Sequence, residues 1–321
     1  MVLLMKNINI EQYIDSYLKK VSTTQMVIIP LILLLLSLII LGWSCISTST
    51  PEGLGSPVEL GVEFTGGTIV SVESPLSFEE VQQQFTSQFP DTPPISARDA
   101  GGGWVMLQFA PMDEAAQMEL NEYLTSNYGS EISLQQTSAQ YGQDLQLSAI
   151  KAVIYAFLGM AVLVFIIFRS VVPSGAVVLS AFSDIVIAAT LMNLFGIALS
   201  LGTVAALLML IGYSIDSDIL LTTRLLKRRG KLDDKIKGAM KTGLTMTTTT
   251  LAAIFILFLV STFAQYVSSF SRIDIISDIS VVLLLGLATD LMNTWMLNTG
   301  ILKWHLGREV PIGKKKRGRR K

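Results

Sequence analysis

Four aspartates inside apolar stretches are the residues best placed to do chemistry. Asp184 stands in Ala181-Phe182-Ser183-Asp184-Ile185-Val186, Asp216 and Asp218 in Ile211-Gly212-Tyr213-Ser214-Ile215-Asp216-Ser217-Asp218, and Asp290 in Ala288-Thr289-Asp290-Leu291, with Asn293 one turn later on the same face. Arg224 follows Asp218 at the inner mouth of its apolar run, and Asp278 and Lys303 fall at run ends, where they read as interfacial. A charge near a bilayer centre costs at least about 2.5–3.5 kcal/mol, so it normally marks a pathway, a relay or a partner. An unpaired carboxylate in low dielectric tends to take up a proton. A carboxylate that switches protonation inside a membrane is the physical requirement for coupling to a proton gradient. The plainer reading is that each acid hydrogen-bonds a neighbouring helix. Three adjacent runs each bring a carboxylate to membrane depth and none brings a buried base, which favours ion coupling. Arg224 has two readings: an ion-pair partner for an aspartate of this or another chain, or the first member of a basic run.

Other chemistries are excluded by what the sequence lacks. Cys45 is the single cysteine, so no intramolecular disulfide and no thiolate metal cluster can form. His305, the single histidine, leaves no histidine metal site and reads as interfacial at the end of the last run. An intramembrane aspartyl protease needs two catalytic aspartates, and Tyr213-Ser214-Ile215-Asp216 does not resemble that family's Gly-x-Gly-Asp. No enzymatic activity, cofactor or metal is expected.

These residues must be positioned by membrane helices. A span of roughly 20 apolar residues crosses the hydrocarbon core, and such runs recur six times, at 26–46, 148–168, 173–195, 199–222, 243–263 and 277–302. The first is too long and too far from the terminus for a cleaved signal peptide and reads as a retained anchor. Six crossings with the amino terminus inside place every short basic segment in the cytoplasm: Arg169, the Arg224–Lys241 run, and the tail Lys314–Lys321. The 224–241 stretch reads as a loop with its own short helix. The tail serves topology and attraction to anionic lipid, and a bare basic run specifies no nucleic acid.

Residues 8–18 carry Ile10, Ile14, Tyr17 and Leu18 at helical spacing, which predicts an amphipathic helix, on the inner membrane face or simply solvated. The acid-rich segment 47–147 changes to the grammar of a water-soluble domain, with Arg98 as the base between Ser47 and Leu147. Val62–Val72 reads as one or two strands broken at Gly66-Gly67. Ser77-Phe78-Glu79-Glu80 is a capping box opening a helix to about Phe89. Trp104–Phe109 alternates as a strand after a hairpin at the 101–103 glycines, Pro111–Tyr128 reads as a helix, and Glu131–Thr137 as a strand. Two helices among about four strands fit a ferredoxin-like split βαβ unit, for binding or a mechanical role. The expected plan is therefore a multi-span α-helical membrane protein of six transmembrane helices with an inserted extracytoplasmic α+β ferredoxin-like domain. Its parts are a cytoplasmic amphipathic N-terminus (1–25), a first span (26–46), the extracytoplasmic domain (47–147), a five-span bundle (148–305) and a basic cytoplasmic tail (306–321).

Three motifs carry a resemblance. Glu63-Phe64-Thr65-Gly66-Gly67-Thr68 resembles the Phe-x-Gly-Gly signature of the SecD/SecF protein-export family. Ile211-Gly212-Tyr213-Ser214-Ile215-Asp216 with Arg224 resembles the fourth-span Gly-Tyr-Ser motif and downstream arginine of its SecF branch, and Ser183-Asp184-Ile185-Val186 the third-span His-Asp motif. Their spacing and the six-span plan agree over residues 20–305. Ser183 replaces the histidine, Asp216 an asparagine, Ser217 an aspartate and Asp218 a hydroxyl residue, and Asp290 stands where bacterial members carry an uncharged residue. These departures resemble the archaeal branch. The resemblance implies a complex with SecD, association with a SecYEG-type channel, contact with unfolded polypeptide emerging during export, use of the proton motive force, and kinship with the resistance–nodulation–division transporters. It also implies ion-coupling roles for Asp184 and Arg224 and close helix packing at Gly212 and Tyr213. Rivals are a free-standing lipid or drug exporter of that superfamily and a passive scaffold for SecD.

Overall fold

The computed structural model describes residues 10–48, 55–101, 103–128, 132–267 and 274–309. Residues 1–9, Glu52, Gly102, Glu131 and the basic tail Lys314–Lys321 lie outside them. The described residues include six helices long and apolar enough to cross a membrane.

Helix α1 (Ile10–Lys20) precedes α2 (Thr23–Ser47), which opens on a capping box between Ser22 and Gln25. Only Met26, Pro30, Leu34 and Ser37 of α2 are buried, one narrow stripe at helical spacing. The remaining spans are α6 (Ala139–Phe168), α7 (Val171–Leu194), α8 (Leu201–Lys227), α9 (Leu232–Val267) and a last helix built from α10 (Asp274–Met292), a π-helical stretch (Asn293–Asn298) and α11 (Thr299–Glu309). Helix α7 is the most enclosed, whereas α2, α6 and α9 turn most of their apolar surface outward. Pro173 sits in the first turn of α7, where its missing N–H costs no helical bond.

Between α2 and α6 lies the inserted domain: α3 (Val62–Thr65), β1 (Gly67–Glu73), α4 (Phe78–Gln88), β2 (Pro94–Gly101), β3 (Trp104–Phe109), α5 (Glu114–Tyr128) and β4 (Ile132–Thr137). The sheet is antiparallel, in the order β2-β3-β1-β4, which is the ferredoxin-like arrangement. Val70, Val72, Val105, Leu107 and Phe109 of the strands close a core with Val81 and Phe85 of α4 and Leu120 and Leu124 of α5. The Ser77–Glu80 capping box forms as the sequence predicts.

Three local expectations are corrected. Val62–Thr65 is a helical turn rather than a strand, because Gly66 at φ 77° and Gly67 at φ 131° reverse the chain before β1 can start. The basic stretch 224–241 holds no separate helix: α8 runs to Lys227 and α9 begins at Leu232, so most of its charges ride on the ends of two long helices. Helix α1 is not simply solvated, because one face of it packs on the helix bundle. Ile14, with Tyr17 and Leu18 beside it, packs on Leu221, Leu225, Ile236, Trp295 and Leu302 at the ends of α8, α9 and the last helix. Asp15 pairs with Lys237 there, and burial raises the Tyr17 phenol above its ordinary pKa.

Candidate ion-coupling site

The carboxylates meet where α7, α8 and the last helix adjoin. Small and apolar residues hold these helices together: Ala188, Met192, Leu207, Leu210, Leu283 and Leu287 form one cluster. Asp184 is fully buried. Its Oδ2 accepts from Ser214 Oγ of α8 at 2.6 Å and its Oδ1 from Asn293 Nδ2 of the π-helical stretch at 2.7 Å. Asp218, also fully buried, accepts on Oδ1 from Asn298 Nδ2 at 2.8 Å and lies 3.0 Å from Thr294 Oγ1. The same Thr294 oxygen is 3.1 Å from Oδ1 of Asp290. Asp290 faces both other carboxyls and lies beside Ser214 and Ser217.

Proton counting constrains this box. A threonine hydroxyl carries one hydrogen, yet Thr294 Oγ1 bridges two carboxyl oxygens. Both contacts are hydrogen bonds only if Asp218 or Asp290 carries a proton and donates it back. Among the described residues, the buried acceptors Asn293 Oδ1 and Asn298 Oδ1 have no hydrogen-bond partner. The ion pairs Asp15–Lys237 and Asp233–Lys303 both lie outside the box. The arrangement can therefore hold and relocate a proton among three carboxyls using uncharged donors.

A π-helical stretch supplies most of those donors. A widened turn frees main-chain carbonyls, and such turns recur at functional sites. Here Thr294 O accepts from Thr299 Oγ1 at 2.9 Å and Trp295 O from Tyr17 Oη at 3.2 Å, so α1 is bonded to the segment that faces the carboxylates.

Asp184, Asp218, Asp290, Asn293 and Ser214 thus come together, while other residues singled out by the sequence stand apart. Asp216 is exposed on the outer side of α8, because residues two apart on a helix point to nearly opposite faces. Arg224 lies six residues beyond Asp218, about 9 Å along the axis, where its guanidinium donates to the Gly238 carbonyl of α9. That contact adds a third role to the two expected of it, joining α8 to α9. Within this chain, Gly212 and Tyr213 lie on a side of α8 where little packs against them. A methyl placed on Gly212 would meet no atom within 4 Å, and Tyr213 is 38 % exposed. Thr294 and Asn298 are site residues that the sequence reading does not single out, although positions four and eight after Asp290 share its face.

The Glu63–Thr68 signature and the residues just before it serve as a strap. Phe64 is buried, and a Cβ on Gly67 would overlap the Phe109 carbonyl oxygen, so the ladder to β3 leaves room for hydrogen only. Just before it, Gly61 N donates to Leu199 O and Leu199 N to Glu59 O, each at 2.7 Å. Asn193 Nδ2 donates to Pro57 O at 2.7 Å, and the Glu63 carboxylate accepts from Leu201 N. The end of α7 and the start of α8, the two helices carrying Asp184 and Asp218, are thereby fastened to the inserted domain.

Comparisons with known proteins converge. Residues 119–308 match the family described as protein export membrane protein SecD/SecF, C-terminal. A protein-export membrane protein SecF from Methanolacinia petrolearia is 47 % identical over 282 residues, 88 % of this chain and 93 % of that one. One of the same description from Haloferax volcanii is 43 % identical, over 88 % of this chain and 92 % of its own. Among solved structures, SecDF, a translocon-associated membrane protein from Thermus thermophilus, superposes with TM-score 0.67 at 18 % identity over 88 % of this chain. This chain spans 38 % of that one.

Proposed function

Because the chain belongs to the SecD/SecF family of protein-export membrane proteins, we propose that it is the SecF-type subunit of a SecD–SecF complex, and that ion movement through its carboxylate box drives its external domain during export. The observation that carries this reading is the box itself: three carboxyls from three helices, one bridging hydroxyl hydrogen, and a strap from two of those helices to the external domain. A proton arriving at Asp184, Asp218 or Asp290 changes which groups donate and which accept. The resulting shift of α7 against α8 acts on the strap at Asn193, Leu199 and Leu201.

Asp216 supports assembly with another membrane chain. Leaving a carboxylate exposed at membrane depth costs at least about 2.5–3.5 kcal/mol; a SecD-type partner that covers it with a donor removes that cost. The neighbouring Gly212 and Tyr213 belong to the same uncovered side. In this reading the amino terminus and basic segments are cytoplasmic, the 47–147 domain is extracytoplasmic, and a SecYEG-type channel delivers the polypeptide.

The test is a pulse-chase of a secreted precursor in cells depleted of this protein and complemented with wild type or Asp184→Asn, at equal abundance and equal SecD association. Slow release of mature protein with the variant is expected. Normal release with the variant, combined with slow release on depletion, overturns ion coupling and leaves a scaffold. Copurification without a SecD-type chain, with normal release on depletion, points instead to a free-standing exporter.

A further inference from the structure

The two edges of the external sheet are built differently. Edge strand β2 follows Pro93, starts at Pro94, exposes Arg98 and Asp99, and shifts register between Pro94 and Ser96 and again between Asp99 and Gly101. Prolines, charges and irregular pairing are the means by which natural sheets prevent further strands from adding. Edge strand β4 has none of them. Ile132-Ser133-Leu134-Gln135-Gln136-Thr137 contains no proline and no charge, and pairs with β1 in unbroken register from Val72↔Ile132 to Gly67↔Thr137. Ile132 and Leu134 lean on the domain core while Ser133, Gln135 and Gln136 are exposed. In an antiparallel pair, alternate residues direct their N–H and C=O away from the partner strand. Among the described residues β1 alone pairs with β4, so those groups form an open row.

We infer that β4 is a docking strand, on which a segment of the polypeptide being exported adds in extended form as a fifth strand. The inference rests on the export reading above and names the contact surface for its substrate. Three observations select this occupant. Main-chain hydrogen bonds are the same for every sequence, which suits a client whose sequence varies. The exposed side chains on the edge are uncharged, so they neither select nor repel by charge. A second copy is disfavoured, because edge-to-edge pairing would bring together two acid-rich domains, each with Arg98 as the base between Ser47 and Leu147. The position also fits: Thr137 ends β4, Ser138 caps α6 by accepting from Tyr141 N, and α6 starts at Ala139. A strand held on β4 is thus one residue from the helix that carries the chain on into the bundle.

The experiment places a photo-crosslinking amino acid at Gln136 in the full chain, within the assembled complex, during export of a translation-arrested precursor. A crosslink to the precursor is expected, and it is expected to be lost when Ser133→Lys and Gln135→Lys charge the edge. Those two side chains are exposed, so the core is spared; a melting temperature equal to wild type confirms it. A probe at Arg98 on β2 is expected to give no precursor crosslink. A crosslink from Gln136 to the partner's external domain or to a second copy overturns the inference, as does a precursor crosslink that survives both lysines. No precursor crosslink together with slow export by Asp184→Asn rejects the docking strand and keeps the export reading. Normal export on depletion of the protein rejects the export reading itself.

Discussion

Thr294→Val tests the box with the least disturbance to packing. Valine has nearly the shape of threonine, and residue 294 is fully buried, so the change opens no cavity and adds no volume. It removes the oxygen that lies 3.0 Å from Asp218 and 3.1 Å from Asp290. Two contacts are lost but only one hydroxyl hydrogen, so one charged-group hydrogen bond is the proper measure, about 1.5–3 kcal/mol. At 1.4 kcal/mol per tenfold, this shifts proton sharing between Asp218 and Asp290 by about 10- to 150-fold. The assay is gradient-driven release of a precursor from vesicles containing the complex, with the imposed proton gradient varied. We expect the gradient-dependent rate to fall about tenfold or more for Thr294→Val, with Thr294→Ser, which keeps the hydroxyl, close to wild type. Equal rates for valine and wild type at every gradient, with both proteins equally folded, would refute the claim that this hydroxyl links the two carboxyls in transport.

Gly67→Ala drives a methyl into the Phe109 carbonyl oxygen at φ 131°; we expect the inserted domain to lose about 2 kcal/mol or more, seen as faster amide exchange across β1 and β3 with the spans unaffected. Gly243→Ala sets a methyl against Trp295 Cζ2, so displacement of the indole is expected to lower the melting temperature, whereas Gly159→Ala, with open space around it, leaves it unchanged. Asp216→Asn is expected to leave the isolated chain's melting temperature unchanged and to reduce recovery of its membrane partner on purification; unchanged recovery would remove the argument for a partner at α8. The Asp15–Lys237 pair is partly exposed, at 37 % and 40 % of the side chains, and solvent screening is expected to leave little coupling in a double-mutant cycle, with each single variant melting close to wild type.

Spans and soluble-domain elements are legible in the sequence because each is written locally. Apolar length identifies a span, alternation at Trp104–Phe109 a strand, and Ser77 with Glu80 a helix start. Val62–Thr65 reads as a strand because β-branched and aromatic residues favour strands, while the deciding feature is the pair of positive φ angles just after them. At the site, ionisable residues inside apolar runs point to Asp184, Asp218 and Asp290. Asp216 is drawn in with them by proximity in sequence, although its two-residue offset from Asp218 already separates their faces. Thr294 and Asn298 escape notice because uncharged residues in a span carry no energetic signal of their own; they matter only once the last helix is placed beside α7 and α8. The π-helical stretch has no local signature in Asn-Thr-Trp-Met-Leu-Asn, and it is stabilised by contacts from Tyr17 and Thr299, one of them distant in sequence.

A π turn is an α-helix with one residue inserted, and that insertion has consequences for how this chain can vary. Deleting one residue among Asn293–Asn298 would return the turn to regular α geometry and leave the segments on either side in phase, whereas a deletion elsewhere in the helix would rotate everything beyond it by about 100°. Segment Thr299–Glu309 would keep its phase, and with it Gly300, where a Cβ would sit 2.7 Å from Val27 Cγ2 of α2, and Leu302, which packs beneath α1. The effect of such a deletion would therefore fall on the spacing of Asn293, Thr294 and Asn298 before the carboxylates, so the inserted residue can be lost without moving the end of the helix but not without rearranging the donors of the box.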